Sequence, residues 1–327
     1  MALTSIATTG GWADNAVAST AYNLMFGWEL KARPICYPLV DVQPKNVPHR
    51  GASVTMELNN FFDEATITAG KTTLNEETDI TATKLPATRK VVLTPQEKGQ
   101  GVSRTLKLSN RGLVPIDPVI GKAVGQLGAD VIDALVQDAM RGTANKVYGG
   151  GKTATNAITA TDTIKAADVR KVVTKLRGQS VETRDGQFFV GVFHPDAIHD
   201  LRSETGSGSW RVPSEYGTNQ SEIWNGEFGE FEGVRFVQTP TTLRGADAGT
   251  GSGTAPNRPT VYHNFILGAE AIAKAEITPL QSVVSPVVDK LKRFAGLGWY
   301  ADLDFALYRP EALYRLESHA SVAPAAG

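Results

Sequence analysis

Two histidines, His194 and His199 in the run His-Pro-Asp-Ala-Ile-His, are of a type that binds metals. Their spacing is five residues rather than the four that puts two imidazoles on one helix face, and no Glu completes a zinc-protease pattern. The run reads instead as a strand-to-helix turn, with Pro195 at the first helical position, where its missing N–H costs nothing. Gly149 to Thr153, Gly-Gly-Gly-Lys-Thr, echoes a phosphate loop, yet Lys146 stands where the first glycine belongs and no apolar strand leads in. Gly206-Ser207-Gly208-Ser209 lacks the order of a nucleophile elbow and reads as a flexible loop. Asp302 and Asp304, two apart on an expected strand, share a face and have the chemistry of a cation site or a carboxylate pair; a solvated strand face is the simpler reading. Trp210, Tyr216 and Trp224 near Arg202 and Arg211 offer a stacking surface for bases, but Glu204, Glu215 and Glu222 in the same cluster repel phosphate. An aromatic contact to another protein subunit is the preferred reading there. These spacings yield no catalytic residue, no metal ligand and no cofactor site.

The elements that must position these residues belong to a chain of 327 residues, long enough for two domains or one discontinuous domain with excursions. A net charge of −1 excludes the strongly basic footprint of a protein that grips nucleic acid through its phosphates. Cys36 is the only cysteine, so no internal disulfide and no cysteine-based zinc site exists, and the thiol reads as inert packing. No basic-then-apolar leader opens the sequence and no long apolar run follows, so a soluble, cytosolic product without membrane contact is expected.

Asp14 caps an expected short helix over Asn15 to Phe26, and Pro34, Pro38, Pro44 and Pro48 then forbid helix interior and central strand through Arg50, leaving an extended tether. Asp117-Pro118 opens a long helix whose apolar residues, Val119 to Met140, recur at three and four before Gly142 stops it. A second unit, α/β in character, follows the Gly149–Gly151 joint. It holds a helix over Ala166 to Arg177, a strand over Gln187 to Phe193, a short helix from Pro195 to Arg202, a tight hairpin over Glu227 to Pro240, and strand-like sequence over Thr260 to Ala273. Phe294 to Leu316 alternates as a closing strand that needs a sheet to join.

Between tether and long helix lies a charged excursion, Gly51 to Arg111, of extended type. Its first half carries Glu57, Asp63, Glu64, Glu76, Glu77 and Asp79 against Lys71; its second carries Lys84, Arg89, Lys90, Lys98, Arg104, Lys107 and Arg111 against Glu97. Ser53 to Leu58, Lys90 to Thr94 and Val102 to Leu108 read as strands, with Gly70 to Lys84 as a polar tip. An isolated two-stranded ribbon is marginal in water, so this one must lie on its own body or on a neighbouring copy. Assembly is therefore the first function it suggests.

In order along the chain, these modules resemble the major capsid proteins of tailed bacteriophages, the HK97-like fold, and within it the podophage-type subgroup. The residues that carry the resemblance are Pro44-Lys45-Asn46, Thr73-Leu74-Asn75-Glu76, the long helix ending in Gly142-Thr143 and Asn145 before Tyr148-Gly149-Gly150, His194-Pro195-Asp196 with Asp200-Leu201-Arg202-Ser203, Asn225 to Gly229 with Gly233 to Phe236, and Gly298-Trp299. The resemblance implies an α+β capsid fold: an N-terminal arm (1–50), an extended β-hairpin loop (51–112), a spine helix with a peripheral sheet (113–150), an α/β axial domain (151–275), and a return to the peripheral domain with a C-terminal strand (276–327). It also implies self-assembly, through hexameric and pentameric capsomers, into an icosahedral shell around double-stranded DNA, in host cytoplasm and then in the virion. A separate scaffolding protein, a portal and a decoration protein are the implied partners, with DNA met on the inner face without sequence specificity. The arm and loop would reach neighbours, making Glu76, Glu77, Arg89, Lys90 and Lys98 candidates for intersubunit contact beside the aromatic cluster's Trp210, Arg211, Tyr216 and Trp224. A cargo-enclosing nanocompartment shell (encapsulin) shares the fold, though such chains are usually shorter and lack so long an arm and loop. An ordinary α/β enzyme would need a pocket built on His194, His199 or Asp302.

Overall fold

The computed structural model describes residues 34–44, 53–58, 64–71, 77, 79, 84, 86–105, 107, 116–184, 186–204, 227–242, 244–245, 248–250, 258–285 and 293–322. The expected helix over Asn15 to Phe26, Glu76, and the loop holding Trp210, Arg211, Tyr216 and Trp224 lie outside them.

The long helix expected from Asp117-Pro118 runs over Ile116–Arg141 (26 residues), about 39 Å long, and begins one residue before the expected cap, so that Asp117 and Pro118 lie in its first turn. Val124, Ile132, Val136 and Met140 lie at multiples of four along it, and this stripe is buried. It meets the strand Phe294–Leu307, whose alternate residues Leu297, Trp299, Ala301, Leu303 and Phe305 fill the same core. That strand is the centre of a three-stranded antiparallel sheet, between Ile272–Ser285 and Gln96–Thr105.

A second sheet is built around Phe189–Phe193, Val261–Leu267 and Leu313–Ser318, each buried along its whole length. Such uninterrupted burial marks a sheet covered on both faces. Val190, Val192, Phe265 and Leu267 face the long helix's core. On the other face, Ala166–Gly178 contributes Val169, Val172, Val173 and Leu176, and Pro195–Ser203 contributes Ala197, Ile198 and Leu201.

Numbered in chain order, the strands are β1 Val54–Leu58, β2 Arg89–Leu93, β3 Gln96–Thr105, β4 Lys146–Tyr148, β5 Phe189–Phe193, β6 Glu227–Phe231, β7 Val234–Gln238, β8 Arg244–Gly245, β9 Val261–Leu267, β10 Ile272–Ser285, β11 Phe294–Leu307 and β12 Leu313–Ser318. The helices are α1 Glu64–Gly70, α2 Ile116–Arg141, α3 Ala166–Gly178 and α4 Pro195–Ser203. The α/β sheet runs β4-β12-β9-β5-β7-β6, with β8 on β9. The β6–β7 hairpin turns through Glu232 and Gly233 at φ 52° and 79°, the left-handed pair that a tight hairpin of right-handed twist requires.

Several expectations shift. The strand placed at Val102 to Leu108 is β3, from Gln96 to Thr105; it shows little alternation because it is largely exposed and held by backbone pairing to β11 rather than by a buried face. The extended excursion contains a helix, α1, where Glu and two alanines precede a terminating glycine. The strand-like stretch over Thr260 to Ala273 is β9, and beyond a turn β10 runs to Ser285. β4 and β12, in the segments expected with the long helix, both lie in the α/β sheet.

The Pro-rich tether, expected to wander toward a neighbour, is docked on its own body from residue 34 to 44. Cys36 is fully buried and Leu39 nearly so, and Val42 bridges Ala273. Asp133, on α2, accepts the backbone N–H groups of Cys36 at 2.6 Å and Tyr37 at 3.1 Å. Asp41 accepts from the Arg184 guanidinium, which also donates to the carbonyl oxygen of Leu39 at 2.8 Å. Burial, reinforced by the Asp133 charge, pushes the Cys36 thiol well above its ordinary value, so it stays protonated and unreactive.

Candidate assembly surfaces

The charged ribbon begins as a hairpin base with a core of its own. β1 pairs antiparallel with β2, and Val54 and Leu93 pack with Ala273 and Ala275 of β10. Opposite charges meet across the rungs: Glu57 lies opposite Lys90, with Nζ 3.6 Å from Oε1. Arg89 Nη1 reaches Glu311 Oε1 at 2.8 Å. The Tyr308 hydroxyl donates to the Glu57 carbonyl oxygen at 3.2 Å, and Thr94 N–H donates to Asp304 at 2.8 Å. Two of the contact candidates, Arg89 and Lys90, are thus engaged within the chain and fix the ribbon's register and seat. Glu77 is exposed in a turn, and Lys98 is half-buried on β3 opposite Ala301.

The residues that suggested chemistry are held in structural roles. His194 caps α4, its Nδ1 accepting the Asp196 N–H at 3.2 Å, while His199 is exposed. The Tyr262 hydroxyl donates to Asp196 at 2.7 Å, and burial together with that bond pushes its pKa up to about 12. The Gly149–Gly151 turn wraps a carboxylate: a Cβ on Gly150 would sit 2.1 Å from Asp162 Oδ1, and Lys152 pairs with Asp162 at 3.6 Å. An anion cannot occupy ground already held by a carboxylate. Asp304 is taken up by the N–H groups of Thr94 and Phe305. Among the described residues, no group of three or more His, Cys, Asp and Glu is placed to hold a metal ion.

A buried polar group that the sequence did not reveal joins α2 to the α/β sheet. Arg315 Nη1 donates to the carbonyl oxygen of Arg141 at the end of α2 (2.8 Å), and Nη2 lies 2.7 Å from Glu317 Oε1. Glu317, fully buried, also accepts from Thr155 Oγ1 at 2.5 Å, and its Oε1 lies 3.6 Å from His263 Nδ1. Arg315 and Glu317 alternate with Tyr314 and Leu316, a pattern that reads as a solvated strand face; the end of α2 closes over it instead.

Burial pushes the His263 imidazole down to about 4; Glu317 opposes this and the Arg315, Arg141 and Lys146 cations add to it. The unfolded chain takes up this proton near pH 6.5 and the folded chain only near 4, so stability is fully present above about 6.5 and is lost as pH falls through that window. Urea melts at pH 7.0 and 4.5 should differ by about 2 kcal/mol from this residue, and His263→Gln should remove that part of the slope. A slope unchanged in the variant contradicts the assignment.

A family model described as phage capsid protein matches residues 133–289, from the second half of α2 to just past β10. The fold is similar to the capsid of Ralstonia phage GP4, with a TM-score of 0.67 at 14% identity over 84% of this chain and 85% of that one. It is also similar to the Cyanophage Pam1 capsid, at 0.66 and 12% over 89% and 93%. The chain has the HK97-like fold of these phage capsids. A virus-like particle from Pyrococcus furiosus is matched with a TM-score of 0.50 at 10% identity, over 91% of this chain and 98% of that one. No curated protein matches this chain in sequence. In the terms of the fold, α2 is the spine helix, β3, β10 and β11 are the peripheral sheet, and the β4–β12 sheet with α3 and α4 is the α/β unit.

Proposed function

We propose that copies of this chain, as a podophage-type major capsid protein, form hexameric and pentameric capsomers that close an icosahedral shell around double-stranded DNA. The chain carries out no catalytic step of its own. The supporting observation is the architecture: a spine helix on a three-stranded sheet, joined to an α/β sheet and matched over most of its length by phage capsids, with a ribbon whose base is anchored to its own body. Arg89–Glu311 ties the ribbon's base to the body of its own subunit, and Glu57–Lys90 ties its two strands to each other. With a net charge of −1, contact with DNA on the inner face is local and without sequence preference. Assembly proceeds in host cytoplasm, and a portal and a decoration protein complete the virion partners.

A separate scaffolding protein sets the shell's curvature. Expression of the chain alone should give few closed particles of uniform size, and co-expression with the scaffold from the same genome should give many. Efficient closure by the chain alone contradicts the scaffold claim.

A further inference from the structure

We infer that the cleft between the end of α2, β4 and the last turn of α3 is an oxyanion site that takes a phosphate group. The site stands on its own geometry; only the source given to the phosphate, the backbone of enclosed DNA, rests on the shell reading. The cleft holds about 470 Å³ and is lined by Ala144, Asn145, Lys146, Lys175, Gln179 and Tyr314, with two cations and no carboxylate. Asn145 Nδ2 donates to the carbonyl oxygen of Pro310 at 2.7 Å, and Lys146 stands opposite Arg315 where β4 runs parallel to β12, so the turn out of α2 is fixed. The Tyr314 hydroxyl donates to Gln179 Oε1 at 3.2 Å, which leaves the Gln179 NH2 as a donor. Lys175 Nζ lies 5.7 Å from the centre of the Tyr314 ring, which holds the ammonium at the cleft without neutralising it.

Neither lysine is spent elsewhere. A lysine near a helix C-terminus ordinarily serves the carbonyl groups left open there. Here those groups are taken: the carbonyl oxygens of Lys175, Arg177 and Leu176 accept the N–H groups of Gln179, Ser180 and Val181, and that of Arg141 accepts from Arg315. Among the described residues neither Lys146 nor Lys175 pairs with a carboxylate. Glu311, whose charge reaches Tyr314, is held by Arg89 at 2.8 Å, and the buried Glu317 by Arg315 at 2.7 Å. Besides burial, and against Glu317, the charges of Arg315, Arg141 and Lys146 push the His263 imidazole down, so the positive excess reaches into the protein. Lysine binds phosphate as a point charge. Inorganic phosphate near neutrality carries close to two negative charges and consecutive phosphodiesters one each, so both match a pair of cations where a lone carboxylate leaves one uncompensated.

Calorimetric titration of inorganic phosphate into unassembled subunits tests this. Binding should be saturable, and the double variant Lys146→Gln with Lys175→Gln should weaken it at least about tenfold while the melting midpoint stays unchanged. Absence of saturable binding overturns the site. Lys171→Gln is the control: this lysine of α3 lies outside the cleft and pairs with Asp168 at 3.4 Å. Equal weakening by Lys171→Gln shows diffuse surface charge and overturns the inference. A short DNA duplex of mixed sequence then tests the source. Displacement of phosphate by the duplex, with a salt slope of DNA binding that falls by roughly two in the double variant, supports the DNA backbone. Phosphate binding that the duplex does not displace keeps the site and overturns DNA as its source. An oligoglutamate peptide that displaces phosphate and binds more tightly overturns the phosphate reading in favour of an acidic protein partner. Failure of the wild type to form shells overturns the shell reading, a separate result that leaves a titration on free subunits untouched.

Discussion

Arg315→Met lowers the unfolding free energy of the subunit by about 3–5 kcal/mol and the melting midpoint by roughly 4–7 °C. The guanidinium holds two groups at once: the last carbonyl of α2 through Arg141, at 2.8 Å, and the fully buried carboxylate of Glu317, at 2.7 Å. Removing it leaves a carboxylate in a dry site with Thr155 and a neutral His263 as company, and leaves a helix-end carbonyl without its cation. Pairing the change with Glu317→Leu should restore most of the loss, because a buried ion pair replaced by apolar groups of similar volume is often neutral. Chemical denaturation of the single and double variants measures both. A single variant within about 0.5 kcal/mol of wild type shows that the cluster does not hold α2 to the α/β sheet.

Replacing Arg89, Lys90 and Lys98 together by Glu abolishes closed shells while the subunit stays folded. In the variant, a carboxylate at position 89 would face Glu311 and another at position 90 would face Glu57, so two attractions at the ribbon's base become repulsions. Both pairs are about 40% or more exposed, and exposed pairs contribute only roughly 0.2–1 kcal/mol each, too little to unfold a subunit cored by two sheets. The effect on assembly is larger, since each copy carries the fault and complementary potentials govern encounter and register between copies. Circular dichroism should match wild type while sizing and electron microscopy show no shells. Normal particle yield contradicts the role given to the ribbon's charge.

The periodic elements are legible in the sequence. Asp117-Pro118 in its first turn and Gly142 just past its end mark α2, Phe188 to Phe193 mark the central strand β5, and the Glu-Gly turn marks the β6–β7 hairpin, because each announces itself through local sequence. β3 is misplaced by sequence reasoning because an exposed strand that depends on its neighbour's backbone leaves no alternation to read. The tether at residues 34–44 reads as free for a related reason: its attachments, the Asp133 carboxylate accepting backbone N–H groups, the Arg184 guanidinium and the Val42–Ala273 bridge, come from residues far along the chain, and no pattern around Cys36 records them. The Arg315–Glu317–His263 cluster is illegible because burial by the end of a helix about 170 residues away is a tertiary fact. Glu57 and Lys90 are recognisable as opposite charges on a ribbon; the register that makes them partners comes from the structure.

Negative-stain electron microscopy of the purified chain, with and without its scaffolding partner and beside a sizing column, tests the central claim most directly. Closed shells, or rings of five and six subunits, are the predicted result. A monodisperse monomer in both conditions contradicts it, and portal-free shells packed with an enzyme would place the chain among nanocompartments instead.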